Sequence, residues 1–107
     1  MSYEILFMGT PEFSVPILKS LNSKHKILSV YTQPPKKKSR GHKILKSAVH
    51  LEAEKLKIPV RSPQNLDTDI EFKFIEESKV KLVIVVAYGQ IIPERFLKIK
   101  NLIFLNI

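Results

Sequence analysis

The chain has 107 residues, 44% of them hydrophobic, with 18 Lys and Arg against 10 Asp and Glu, so one domain of ordinary globular composition with a modest core and a net charge of +8 is expected. It has no cysteine, which excludes a disulfide framework and a thiolate metal site. No apolar run approaches the ~20 residues that span a bilayer, and the opening MSYEILFMG carries an acid and no basic leader, so a soluble cytoplasmic protein is the expectation.

YEILFMG is a short apolar run ending in Gly9 and reads as a buried first strand. In TPEFSVPILKSLNSK, Thr10 or Ser14 is a candidate helix cap and Pro16 fits only a first turn. Phe13, Ile17, Leu18 and Leu21 then form the apolar face. HKILSVYT reads as a second strand, and the basic stretch after it as a long loop. SAVHLEAEKLKI has Val49, Ala53 and Leu56 on one face, with Ser47 as cap, and reads as a helix. PVRS is a brief strand, and LDTDIEFKFIEESK a helix whose first-turn acids suit the macrodipole. KLVIVVAYG is the strongest strand: continuous, β-branched and bounded by Gly89, which implies cover on both faces as in a parallel sheet. LIFLNI is a further strand.

This alternation is the signature of a doubly wound, mostly parallel, Rossmann-like α/β sheet flanked by helices. Right-handed crossovers place the first strand beside the strand at 82–87 in the centre. Ligands of such sheets bind outside the carboxyl ends of the strands. The loops at that crevice are GTPEF, AYGQIIP and whatever follows Asn106.

The charge is segregated. Residues 13–51 hold nine Lys and Arg and no Asp or Glu, and six of those cations (Lys36, Lys37, Lys38, Arg40, Lys43 and Lys46) lie between Thr32 and His50. Such a local field suits a phosphate backbone; the plainer reading is a solvated loop that aids solubility. GTPEF has one glycine and is neither a dinucleotide fingerprint nor a phosphate loop, so by itself it reads as a tight strand-to-helix turn. AYGQIIPERF sets exposed Ile91 and Ile92 after Gly89 and before Pro93, an apolar loop suited to a flat heterocycle or to packing under a helix. Asn106 at a strand end is a candidate oxyanion donor, or a turn former. His25, His42 and His50 read as surface residues.

Together, FMGTPEFSVPIL, YTQPPKKKSRGHKILKSAVHLEAEKLKIPV and LVIVVAYGQIIP resemble the N-terminal part of the bacterial methionyl-tRNA formyltransferases, in order from Ile5 to Ile107. The resemblance implies a truncated formyltransferase fold over 1–107, with the family's C-terminal tRNA-binding domain absent from this stretch. It implies transfer of a formyl group from 10-formyltetrahydrofolate to the amino group of initiator methionyl-tRNA, without a metal or a covalent intermediate. Tyr88, Gly89, Gln90, Ile91, Ile92 and Pro93 are expected to line the folate site. Gly9, Thr10, Pro11, Phe13, Lys36, Lys37, Lys38, Arg40, Gly41, His42 and Lys43 are expected on the tRNA and aminoacyl side, with Arg40 matching a family arginine. Asn106 matches the first residue of the catalytic Asn, His and Asp set; the His would fall just beyond Ile107. The stretch alone is therefore expected to be inactive and to self-associate through LIFLNI, while the full-length form is a monomer without membrane contact. Two other readings keep part of the pattern: a sugar or small-amine N-formyltransferase, and a non-catalytic Rossmann-like nucleic-acid-binding module.

Overall fold

The computed structural model describes residues 2–37 and 43–107. The chain runs β1 (Glu4–Gly9), a 3₁₀ turn (Glu12–Ser14), α1 (Val15–Lys24), β2 (Lys26–Tyr31), β3 (Lys36–Lys37), β4 (Ile44–Leu45), α2 (Ala48–Lys55), β5 (Val60–Arg61), α3 (Asp69–Ser78), β6 (Leu82–Val86), α4 (Glu94–Leu97) and β7 (Ile103–Asn106). Five strands form one parallel sheet in the order β5-β2-β1-β6-β7, with β1 beside β6 as the crossover rule requires.

The continuous apolar runs are explained by cover on both faces. Along β6, Val83 and Val85 point to one face and Ile84 and Val86 to the other. The first face packs with Ile75 of α3, Phe96 of α4, Tyr31 and Tyr88; the second packs with Leu18 of α1 and with Val49 and Ala53 of α2. Fully burying each Val, Leu, Ile or Phe side chain among these contributes roughly 1.5–3 kcal/mol. Pro16 sits in the first turn of α1, Ser47 Oγ accepts from the backbone N–H of His50 as the α2 cap, and Thr68 caps α3 with Asp69 and Glu71 in its first turn.

Three expectations are corrected. The basic stretch is not simply a loop: Lys36 and Lys37 pair antiparallel with Leu45 and Ile44 in a two-stranded hairpin. Phe13 leaves the apolar face of α1, because the 3₁₀ turn that precedes the helix carries it outward, and it is 65% exposed. His50 is not a surface residue; its side chain is 12% exposed, and burial, only partly opposed by Glu54, lowers its pKa. The short helix α4 leaves no mark in the sequence pattern, since four residues are too few to show a period.

Candidate functional site

Because all five strands are parallel, their carboxyl ends and the loops that leave them share one edge of the sheet. The turn after β1 is fastened there by its hydroxyls. Thr10 Oγ1 donates to the carbonyl of Tyr88 at 2.6 Å, and buried Ser14 Oγ donates to the carbonyl of Val86 at 2.7 Å. Neither hydroxyl makes the side-chain cap that the sequence suggests; each closes the turn against the exit of β6 instead. Gly9 stands opposite Val86, and a Cβ there would lie 2.9 Å from the Val86 carbonyl oxygen and 2.8 Å from Phe7. The glycine therefore has a packing reason of its own.

The chain leaving β6 turns sharply. Ala87 has φ 52° and Gly89 φ 98°, both in the left-handed region. A Cβ at Gly89 would meet Gln33 Nε2 at 2.7 Å. Tyr88 turns its ring inward: it is 1% exposed, edge-on to Tyr31, and its hydroxyl is buried without a hydrogen-bond partner among the described residues. Burial, with the Glu71 charge adding to it, raises the pKa of that phenol. Ile92 packs partly against the same core, Pro93 starts α4, and Ile91 is left 90% exposed. Of the loop 88–93, Ile91 and the backbone thus make the outward surface. The Gln90 side chain faces the neighbouring loop, where Nε2 donates to the Pro63 carbonyl at 3.1 Å and Oε1 accepts from the Leu66 N–H at 2.9 Å.

The carboxyl ends of β2 and β5 are latched to α3. Tyr31 donates its hydroxyl to Glu71 Oε1 at 2.6 Å, and the Arg61 guanidinium spans both Glu71 oxygens at 2.7 and 3.3 Å. The same guanidinium lies 3.9 Å from the centre of the Phe74 ring. Burial alone would raise the Glu71 carboxyl; the hydrogen bonds from Arg61 and Tyr31 outweigh it and hold the pKa below its ordinary value.

The hairpin rises from this edge. Thr32 Oγ1 lies 2.6 Å from Ser47 Oγ at its root. Lys36, Lys37 and Lys43 are exposed and make no ion pair with described residues. Lys46 does not belong with these free cations, since its ammonium is 2.7 Å from Glu54. Lys38, Arg40, Gly41 and His42 lie outside the described residues. Between the hairpin root and the turn after β1 is a cleft of about 280 Å³ lined by Thr10, Pro11, Gln33, Lys36 and Ser47 among others. Exposed Asn106 ends β7 opposite Val85, in the row that runs through Met8 to Tyr31. Strand spacing puts its backbone ~10 Å from that of Met8.

The structure therefore gathers the turn at 9–13, the loop 88–93, the hairpin base and Asn106 on one edge. It adds Gln33, which is not among the expected site residues, and it makes Ser14, expected as a helix cap, a tie to the exit of β6. TQPP at 32–35, the short polar segment that joins a buried strand to the lysines, is the signal that marks Gln33. Among the described residues no group of three His, Asp or Glu is placed to hold a metal ion, and no helix is long and apolar enough to cross a membrane.

The profile of the formyl transferase family matches residues 3–107. The chain is 50% identical over 109 residues to methionyl-tRNA formyltransferase of Pelagibacter ubique (strain HTCC1062), across 100% of this chain and 35% of that protein. It is 44% identical over 105 residues to methionyl-tRNA formyltransferase of Rickettsia bellii (strain RML369-C), across 97% of this chain and 34% of that one. The chain thus spans about a third of the length of the curated relatives it matches. Among solved structures, phosphoribosylglycinamide formyltransferase from Anaplasma phagocytophilum superposes with a TM-score of 0.67 at 18% identity, covering 99% of this chain and 49% of that one. The Brucella melitensis protein of the same description gives 0.63 at 13% identity, covering 99% and 56%. Those two likenesses establish a shared Rossmann-like fold. With the family profile matching almost its whole length, the chain belongs to the formyl transferase family.

Proposed function

We propose that this chain is the folate- and tRNA-facing part of a methionyl-tRNA formyltransferase acting in translation initiation in the cytoplasm. The observation that carries the reading is the 50% identity, over all of this chain, to a protein of that name. The hairpin supports it, because three exposed lysines beside a cleft suit a phosphate backbone. In this reading Lys36, Lys37 and Lys43, with Lys38, Arg40, Gly41 and His42 of the same stretch, meet the acceptor end. Gly9, Thr10, Pro11 and Phe13 border the aminoacyl group.

The donor, 10-formyltetrahydrofolate, supplies the formyl carbon. The residues present fit one wall of a site for it: a backbone bent at Ala87 and Gly89, with apolar Ile91 standing out as a ledge for a flat ring. Asn106, one strand away, donates its amide N–H to the developing oxyanion when the methionyl amine attacks. Loss of one such donor costs about 10²–10³ in rate.

The test is filter binding of methionyl-tRNA across a salt series, together with a titration by 5-formyltetrahydrofolate followed at the Gly89 and Ile91 amides. RNA affinity should fall steeply with salt, and Lys36→Ala and Lys37→Ala should each flatten the slope by roughly one. Unchanged RNA affinity in the triple Lys36→Ala, Lys37→Ala, Lys43→Ala variant would overturn the tRNA half of the reading. Folate shifts confined to residues far from 88–93 would overturn the other half.

A further inference from the structure

One side chain belongs to both halves of the site. Gln33 leaves the end of β2, and its backbone N–H donates to Thr10 Oγ1 at 3.2 Å. Its Nε2 donates to the Gly89 carbonyl at 2.7 Å, and its Oε1 accepts from Gln90 Nε2 at 3.1 Å. Gln90 in turn holds the Pro63 carbonyl and the Leu66 N–H. One connected set of hydrogen bonds therefore ties together the loops that leave β1, β2, β5 and β6. Gln33 also fills the space that a side chain at Gly89 would need, so the fit of loop 88–93 depends on where Gln33 stands.

Between Gln33 and the first hairpin strand stand only Pro34 and Pro35. Each proline ring fixes φ and removes a donor, so this dipeptide is a stiff, extended strut. The other side of the hairpin root is held by the Thr32–Ser47 contact and by Ser47 capping α2. A shift of the hairpin is then carried to Gln33 instead of being absorbed in the connection. The cleft next to it, lined by Gln33 and Lys36 together, puts any RNA end that enters in contact with the same strut.

We infer that Gln33 is a positioning residue that couples the basic hairpin to the loop 88–93, so that RNA on the hairpin and a folate on the loop strengthen each other's binding. The inference rests on the proposed function, and coupling of this kind is reciprocal: each ligand changes the other's affinity by one common factor.

The test measures the Kd of 5-formyltetrahydrofolate for the full chain with and without saturating methionyl-tRNA, in the wild type and in Gln33→Met, which keeps the length of the side chain and removes its polar atoms. The wild type should show a ratio of about fivefold or more, and the variant a ratio near one. Gln33→Glu keeps the size but sets a carboxylate against the Gly89 carbonyl, and it too should abolish the ratio. Hydrogen exchange supplies a reading that a purely structural role would not move: RNA should slow exchange at Gly89 and Gln90 in the wild type and leave it unchanged in Gln33→Met. Both ligands binding the wild type with a ratio of one would overturn the coupling while leaving the proposed function intact. Failure of either ligand to bind would overturn the proposed function and the coupling with it.

Discussion

The frame at the carboxyl edge and the hairpin above it obey different rules. In the frame, polar side chains are buried or half-buried and mostly answered, Ser14 by Val86, Thr10 by Tyr88 and Gln33, and Glu71 by Arg61 and Tyr31, while the Tyr88 hydroxyl has no partner among the described residues. In the hairpin, among the described residues, Lys36, Lys37, Ile44 and Leu45 pair, and all four are exposed. A buried hydrogen bond defines geometry because breaking it leaves a desolvated group. An exposed lysine defines a field and not a position. Under the proposed function, close positioning would fall to the frame and long-range attraction to the hairpin.

The largest effect is expected at the latch. Glu71→Ala should destabilise by about 2–4 kcal/mol, because it leaves Arg61 and the Tyr31 hydroxyl without their buried partner; the urea midpoint measures it. Since the Glu71 pKa is lowered in the folded state, its contribution is present above its ordinary value of 4.5 and is lost as pH falls through the folded value. Glu71→Gln should remove that acid-side loss from the stability curve.

Gly89→Ala should come next, at about 1–3 kcal/mol, since φ 98° is strained for alanine and its Cβ would collide with Gln33. Ser14→Ala should cost about 1–2 kcal/mol by leaving the buried Val86 carbonyl without the hydroxyl. Tyr88→Phe should be neutral or slightly stabilising, because the hydroxyl it removes has no partner among the described residues; a loss above about 1 kcal/mol in thermal unfolding would mean the hydroxyl is paired after all. Smallest of all, Lys36→Ala and Lys37→Ala should leave the urea midpoint within about 0.5 kcal/mol of wild type while weakening RNA binding. A large stability loss there would erase the division between frame and arm.

The short-range features of this protein were open to the sequence alone. The continuous run LVIVV against the spaced apolar positions of DIEFKFIEES separates strand from helix, Ser47 announces its helix, Pro16 restricts itself to a first turn, and continuous apolar strands require a parallel sheet covered on both sides. The order of motifs along the chain was enough to point to the family. Tertiary structure alone decided the rest. Thr10 and Ser14 look like caps, yet they bond to carbonyls 78 and 72 residues away, and Gln33 finds its partner carbonyl 56 residues on. Tyr88 sits in the loop expected to line a folate site but faces the core, and Glu71 reads as a first-turn acid but serves as a latch. Periodicity and capping act within a turn or two and leave a local trace. A side chain that bonds to a distant backbone carbonyl leaves none, because every residue, proline included, offers the same carbonyl and only the packed sheet selects which one the side chain meets.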